Sequence, residues 1–340
     1  MSPGPKRRES IVDVARHAGV AVGTVSNVLN KPGHVAPATR DRVLAAIDEL
    51  GFVRNASARR LRAGSIPTIG AVVLDIANPF FTEVARAVED RLADDDCTLM
   101  LASSDGDPER EARCLRLFEA HGVQGLLVTP GGGLEAVLEA RSHGLDVVLL
   151  DAIAPGMPSV SVDDVHGARL AVEHLLALGH RRIGFVDGPG AIRQYVDRRT
   201  GVHAALAHAG QTPDEVLVEV TVPVLDAAGG DAAVEALFGG PGPAPTAVFC
   251  ANDIAALGAL RALRRRGLAV PDDVAVVGYD DITVAAELAV PLTSVRQPTH
   301  ELGRRAADML LRRHADPSLP AEQVQFRPEL VVRRSSDPRA

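Results

Sequence analysis

Cysteine is scarce in this chain: three in 340 residues, Cys97, Cys114 and Cys250, with no close pair among them. An odd, scattered set speaks for a reducing cytosol rather than a disulfide framework. Metal-ligand spacing is missing as well, because the 11 histidines form no His-Glu-x-x-His pattern and no cysteine pairs accompany them, so no metal site is expected. No segment is long and apolar enough to span a membrane. The start, Met1 to Arg8, leads into no apolar stretch, which argues against a signal peptide and for a cytoplasmic protein. Gly188-Pro189-Gly190 and Gly131-Gly132-Gly133 are glycine-rich but lack the phosphate-cradling spacings. No nucleophile–base pair stands out either. An enzyme is therefore not expected, nor catalytic residues, nor a cofactor.

What is present is unevenly distributed. Residues 1–66 hold 11 Lys/Arg against 5 Asp/Glu, a net of +6, and the remainder holds 25 against 39, a net of −14. A basic head on an acidic body fits a head that meets phosphates and a body that stays off them.

The head also has a shape that can read DNA. Ile11–Val20 reads as a short amphipathic helix with Val12, Ala15 and Val20 turned to one core. Gly19 can take the left-handed backbone of the turn that follows. The next segment, Ala21 to Asn30, puts Val25, Val28 and Leu29 on one face and Val22, Gly23, Thr24 and Asn27 on the other. A third helix is predicted from about Pro37 to Leu50, with Val43, Leu44, Ile47 and Leu50 closing the small core. Two short helices around a glycine turn make a helix-turn-helix, whose second helix enters the major groove.

Beyond the head, apolar runs alternate with helical patterns. The runs are 69–74, 98–102, 125–128, 147–150, 182–186, 247–250 and 274–277, an alternation that predicts parallel sheets covered on both faces. Such sheets bind ligands beyond the carboxyl ends of their strands. Asp75, Asn78 with Phe80 and Phe81, Asp151, Asn252 and Asp280 all follow apolar runs, and Arg198 lies at the start of a helix after another. The alternative for any one of them is a cap or turn former, and for the phenylalanines a place in the core.

The run Val12-Asp13-Val14-Ala15, Ala18-Gly19-Val20 and Thr24-Val25-Ser26-Asn27-Val28-Leu29-Asn30 resembles the head of LacI/GalR-type transcription regulators. The resemblance continues through Thr39 to Val43, Leu50 to Asn55 and Ala58 to Arg62, and covers about residues 9–335. It implies an N-terminal all-α helix-turn-helix head at 8–54 and a hinge helix at 55–66. An α/β core like the periplasmic sugar-binding proteins follows at 67–336, with two doubly wound lobes (67–162 with 294–325, and 163–293 with 326–336).

In this family the hinge helices form on operator DNA and insert a leucine pair into a central base step, here Leu61, the unstacking being offset by contacts on the bent duplex. Arg59, Arg60 and Arg62 are then phosphate and groove contacts. The DNA-binding set implied is Val22, Gly23, Thr24, Ser26, Asn27, His34, Asn55, Ala58, Arg59 and Leu61. Ala21 and Ala36 stand where family members often carry capping residues. Each missing cap costs roughly 0.5–2 kcal/mol of local stability, so the head is expected to be loosely folded without DNA.

For the cleft, the resemblance implies that Asn78, Phe80 and Phe81 hydrogen-bond and stack on a sugar, with Asp151, Arg198, Asn252, Asp280 and Gln297 around it, and Asp75 joins the candidate ligand-binding set from its place after the first strand. Carboxylates accept from hydroxyls and an aromatic face covers the C–H side. Arg198 is the one cationic clamp expected, and Ala152 stands where pentose-binding relatives often carry arginine, so a neutral sugar is expected over a sugar phosphate. Replacing Arg198 with Ala is expected to abolish the response without unfolding the protein. The tail, Arg333 to Ala340, has no leucine heptads, and a homodimer on double-stranded palindromic operator DNA is expected. A small effector, as inducer or corepressor, would shift the lobes about crossovers near Asp163 and 293–297. The alternative is a regulator answering to a partner protein or a non-sugar metabolite.

Overall fold

The computed structural model describes residues 11–30, 35–50, 67–240 and 242–339, which divide into a head unit and a body unit. In the head, α1 (Ile11–Ala18), α2 (Val22–Asn30) and α3 (Pro37–Leu50) close on Val14, Ala15, Ala18, Val25, Val28, Val43 and Ala46. Gly19 has φ +64, and the Val20 amide returns to the Ala15 carbonyl at 3.0 Å, which stops α1 and turns the chain. Leu44, expected in the core, is 48% exposed. Val43, Ala46, Ile47 and Leu50 already supply the i, i+3, i+4, i+7 stripe that α3 buries, and position 44 faces away from it. Val14 is fully buried, a core residue the sequence reading passed over. The side chains of Val12 and Leu29 lie outside the described set. Ala21 and Ala36 sit at the cap positions: their carbonyls accept from the Thr24 amide at 2.8 Å and the Thr39 amide at 3.0 Å, with no side-chain oxygen to add a second bond.

The body contains two six-stranded sheets. The first holds β1 (Thr68–Val73), β2 (Thr98–Ser103), β3 (Gly125–Val128), β4 (Asp146–Leu150), β5 (Ser159–Val162) and β11 (Gln323–Phe326), in the order β11-β5-β4-β3-β1-β2. The second holds β6 (Ile183–Asp187), β7 (Leu217–Thr221), β8 (Ala247–Cys250), β9 (Ala275–Asp280), β10 (Thr293–Arg296) and β12 (Glu329–Val331), in the order β12-β10-β9-β8-β6-β7. Neighbours are parallel throughout except β12, which runs antiparallel to β10. The central strands are apolar on both faces because helices cover both: α4 (Pro79–Ala93), α5 (Pro108–His121) and α6 (Glu135–Ser142) belong to the first lobe. In the second lobe lie α7 (Asp164–Ala177), α8 (Arg193–His208), α9 (Pro213–Val216), α10 (Ala227–Gly239), α11 (Asp253–Arg265) and α12 (Thr283–Glu287). Helix α13 (Thr299–Ala315) returns to the first lobe, where Leu302, Ala306 and Leu310 join the core of α4 and β1.

The chain crosses between the sheets three times: after β5, after β10 and after β11. The second crossing falls later than the sequence reading set it. Residues 294–296 belong to β10, hydrogen-bonded to β9 of the second sheet, because Ser294, Val295 and Arg296 continue its register opposite Gly278, Tyr279 and Asp280. Phe326 likewise stays in the first sheet, opposite Val162.

Candidate functional site

Helix α2 turns Val22, Gly23 and Asn27 outward, with Val22 42% exposed, and leaves Thr24 and Ser26 at the margin of the buried face. This follows from period: Val25 and Val28 occupy the inner stripe, so positions 22, 23 and 27 fall opposite. A short polar and methyl-bearing helix face of this kind can meet base edges in a major groove. His34, Asn55, Ala58, Arg59 and Leu61 lie outside the described residues.

In the body, the carboxyl ends of β1, β4, β8 and β9 and the first two turns of α8 surround a small, partly open cavity. Its first-lobe wall is Leu74, Asn78, Phe80, Phe81 and Asp151, and its second-lobe wall is Gln194, Tyr195, Arg198, Asn252 and Asp280. Asn78 caps α4, its Oδ1 accepting from the Phe80 amide at 3.0 Å, and its Nδ2 reaches across to donate to Asp280 Oδ2 at 3.1 Å. Phe80 and Phe81 meet edge to face at 4.9 Å between centroids, and both belong to the first-lobe core while lining the cavity. Asn252 caps α11, accepting from the Ala255 amide and donating to the Leu225 carbonyl.

Arg198 is the centre of the charged wall and is only 3% exposed. Its Nε donates to Asp164 Oδ1 at 2.8 Å, its Nη1 donates to the Ala251 carbonyl, and its guanidinium lies 3.7 Å from the centroid of the Tyr279 ring. The close pair depends on helix approach. A Cβ on Gly201, one turn beyond Arg198 on α8, would fall 2.2 Å from the Val165 carbonyl of α7, so only glycine lets α8 sit near enough for Arg198 to reach Asp164. This burial changes one expectation: truncating Arg198 removes a structural ion pair as well as a cleft contact.

Asp151 and Asp280 both sit at strand ends with positive φ, +52 and +114, where the backbone leaves the sheet and swings the carboxylate toward the cavity. Burial pushes the Asp151 carboxyl up to about 7, with repulsion from Asp164 adding to it and Arg198 opposing it. Burial likewise raises Asp280 to about 6, against Arg198 and the hydrogen bonds from Asn78 and Gln297.

Two residues expected to line the site do not. Asp75 turns the chain after β1, its Oδ1 accepting from the Ala77 amide at 2.8 Å, a turn-former's role. Gln297 is buried behind the wall and donates from Nε2 to Asp280 Oδ1 at 2.7 Å, orienting that carboxylate. Three residues that shape the site escaped the sequence reading. Gln194 was within reach, since it precedes Arg198 by one helical turn and so shares its face. Tyr195 and Asp164 gave no such signal, the latter being 34 positions from the arginine it pairs with. Among the described residues, no group of His, Cys, Asp and Glu is placed to hold a metal ion, and no helix is long and apolar enough to cross a membrane.

Comparison with known proteins follows this division. Residues 10–55 match the bacterial regulatory proteins of the lacI family, and residues 172–336 match the periplasmic binding protein-like domain. The chain is similar to the HTH-type transcriptional repressor PurR of Photobacterium profundum, 35% identical over 336 residues that cover 96% of this chain and 98% of that protein. Among solved structures it is similar to a complex of the transcriptional regulator CelR with cellobiose, 32% identical, covering 97% of this chain and 100% of that one, at a TM-score of 0.71. It is also similar to the lac repressor dimer bound to operator and the anti-inducer ONPF, 28% identical, covering 97% and 99%, at a TM-score of 0.72. With the likeness running through the head and both lobes, the chain belongs to the lacI family of bacterial regulatory proteins and is a DNA-binding transcriptional regulator, not an enzyme.

Proposed function

We propose that this regulator is a repressor that binds a palindromic operator as a homodimer and is switched by a small sugar in the body's cleft. Val22, Gly23, Thr24, Ser26 and Asn27 then face the major groove, and His34 belongs to the same DNA-contacting set. Asn55, Ala58, Arg59 and Leu61 act in the hinge and minor groove. The observation that carries the switch is the cavity wall, where Phe80 and Phe81 share one cavity with the carboxylates of Asp151 and Asp280 and with Asn252. An apolar side and a carboxylate side suit a molecule with C–H faces and hydroxyl rims. A phosphate or carboxylate on the ligand would meet those carboxylates without a free cation, because Arg198 is already paired. The cellobiose bound by CelR and the operator held by the lac repressor dimer support the same reading.

The test is selection of genomic DNA fragments by the purified full-length protein at physiological salt, followed by sequencing. A palindrome with a flexible central step is expected, released or tightened when the matching sugar is added. Random recovery with and without sugars overturns the operator reading. Leu61→Ala is expected to weaken binding to the selected operator by at least tenfold, about 1.4 kcal/mol, with ligand affinity retained; unchanged operator binding would remove Leu61 from the hinge contact.

A further inference from the structure

This inference rests on the cleft being the effector site and concerns its charge. Three buried carboxylates, Asp151, Asp164 and Asp280, surround one guanidinium, Arg198. Arg198 is consumed by Asp164, the Ala251 carbonyl and the Tyr279 ring. Asp280 is satisfied by Asn78 and Gln297. Asp151 is not satisfied. Its Oδ2 accepts from Gln194 Nε2 at 3.1 Å, but its Oδ1 is buried with no hydrogen-bond partner, on a residue that lines the cavity and is 3% exposed.

The orientation of Gln194 makes the deficit clearer. Its Nε2 donates both to the Asp151 main-chain oxygen at 2.9 Å and to Oδ2, so its Oε1 becomes a second buried acceptor without a donor. Two residues that line the cavity therefore each hold a solvent-shielded acceptor without a donor, and the three carboxylates outnumber the one guanidinium. An uncompensated buried charge is costly, and a ligand that brings the missing cation removes that cost.

We infer that Asp151 Oδ1 receives an ammonium group, so that the cleft takes amino sugars in preference to the hydroxy sugars that otherwise match them. With the Asp151 carboxyl near 7, the empty cleft holds a proton there part of the time. An arriving ammonium takes the proton's place, and the proton leaves to solvent. A hydroxy sugar instead binds with the proton retained. The charged and titratable groups facing Asp151 are Asp164, Asp280, Arg198 and Tyr279, and none of them supplies a second cation.

The experiment is calorimetric titration of the full-length protein with matched pairs: D-glucosamine and D-glucose, D-galactosamine and D-galactose, D-mannosamine and D-mannose. In at least one pair the amine is expected to bind about tenfold tighter at about pH 7, with the gap closing at about pH 5.5, where Asp151 carries its proton. Titration in two buffers of different ionisation heat is expected to show proton release with the amine and none with its partner. Asp151→Asn, a residue that tolerates this positive φ, is expected to erase the preference. Should that variant fail to fold, the pH dependence of the natural protein decides alone. Equal or tighter binding of the hydroxy member overturns the ammonium site and leaves the sugar cleft standing, whereas no binding by any member overturns both.

Discussion

Among the described residues, four valines and three alanines make up the buried set of the head, whereas the body buries phenylalanines, leucines, Tyr279 and a group of charged side chains. The head keeps Val22, Gly23 and Asn27 outward, in water. The body turns Asp151, Asp164, Arg198 and Asp280 inward, none more than 5% exposed. An outward recognition face makes no demand on the interior, so a few small residues suffice beneath it. An inward one must have its charges matched and its helices brought to backbone contact, which takes a large core and glycine at the crossing point.

Breaking the inward network therefore gives the largest expected effect. Arg198→Met leaves Asp164 buried without its cation, and the body is expected to lose about 3–5 kcal/mol of stability. Near-ultraviolet dichroism reads this directly, since both tyrosines of the chain, Tyr195 and Tyr279, lie at the cleft. A denaturation midpoint within error of the natural protein would end the argument that this pair holds the body together.

The next effect is in pH. Asp151 titrates near 7 in the folded body, above its ordinary range. A carboxyl raised on folding binds its proton more tightly in the native state, so its contribution to stability is full below about 3.9 and is lost as pH rises through 7. Asp280, raised to about 6, adds a loss over the lower part of that window. The ligand-free body is expected to melt at lower temperature at about pH 7.5 than at about pH 5, and Asp151→Asn to flatten that slope. A natural protein whose slope matches the variant's contradicts the charge imbalance.

The smallest effect sharpens the head's side of the comparison. Ala21→Ser supplies the oxygen that the start of α2 lacks, and is expected to stabilise the head by about 0.5–2 kcal/mol. Hydrogen exchange at the amides of α2 would register it; unchanged protection there would mean the cap position is already satisfied another way.

Much of this was legible before any coordinates. The runs that became β1, β3, β4, β8 and β9 are apolar on both faces and stand out against their helical neighbours. The strands β5, β7, β10, β11 and β12 did not stand out. β7 and β11 alternate between partly buried and exposed positions, and Ser159 and Ser161 interrupt β5. Within the site, Asn78, Asp151, Arg198, Asn252 and Asp280 could be found because each ends an apolar run or opens a helix, a position that strand geometry sends to the cleft. Asp75 satisfied the same rule and went elsewhere, since a carboxylate two residues before an amide closes a turn more readily than it spans a gap.

The sequence by itself determined the division into a basic head and an acidic body, the three-helix head with its outward face, and the alternating α/β core. These depend on composition and on periods of two and 3.6 residues, which are local properties of a chain. Only the tertiary structure decided which lobe receives the strand at 293–296. It also decided that Arg198 is spent on Asp164 and that Asp151 keeps one oxygen without a donor. Those outcomes turn on which side chains meet after helices from distant parts of the chain have packed. Pairing of that kind is set by the three-dimensional sum of contacts and burial, which no window of residues contains.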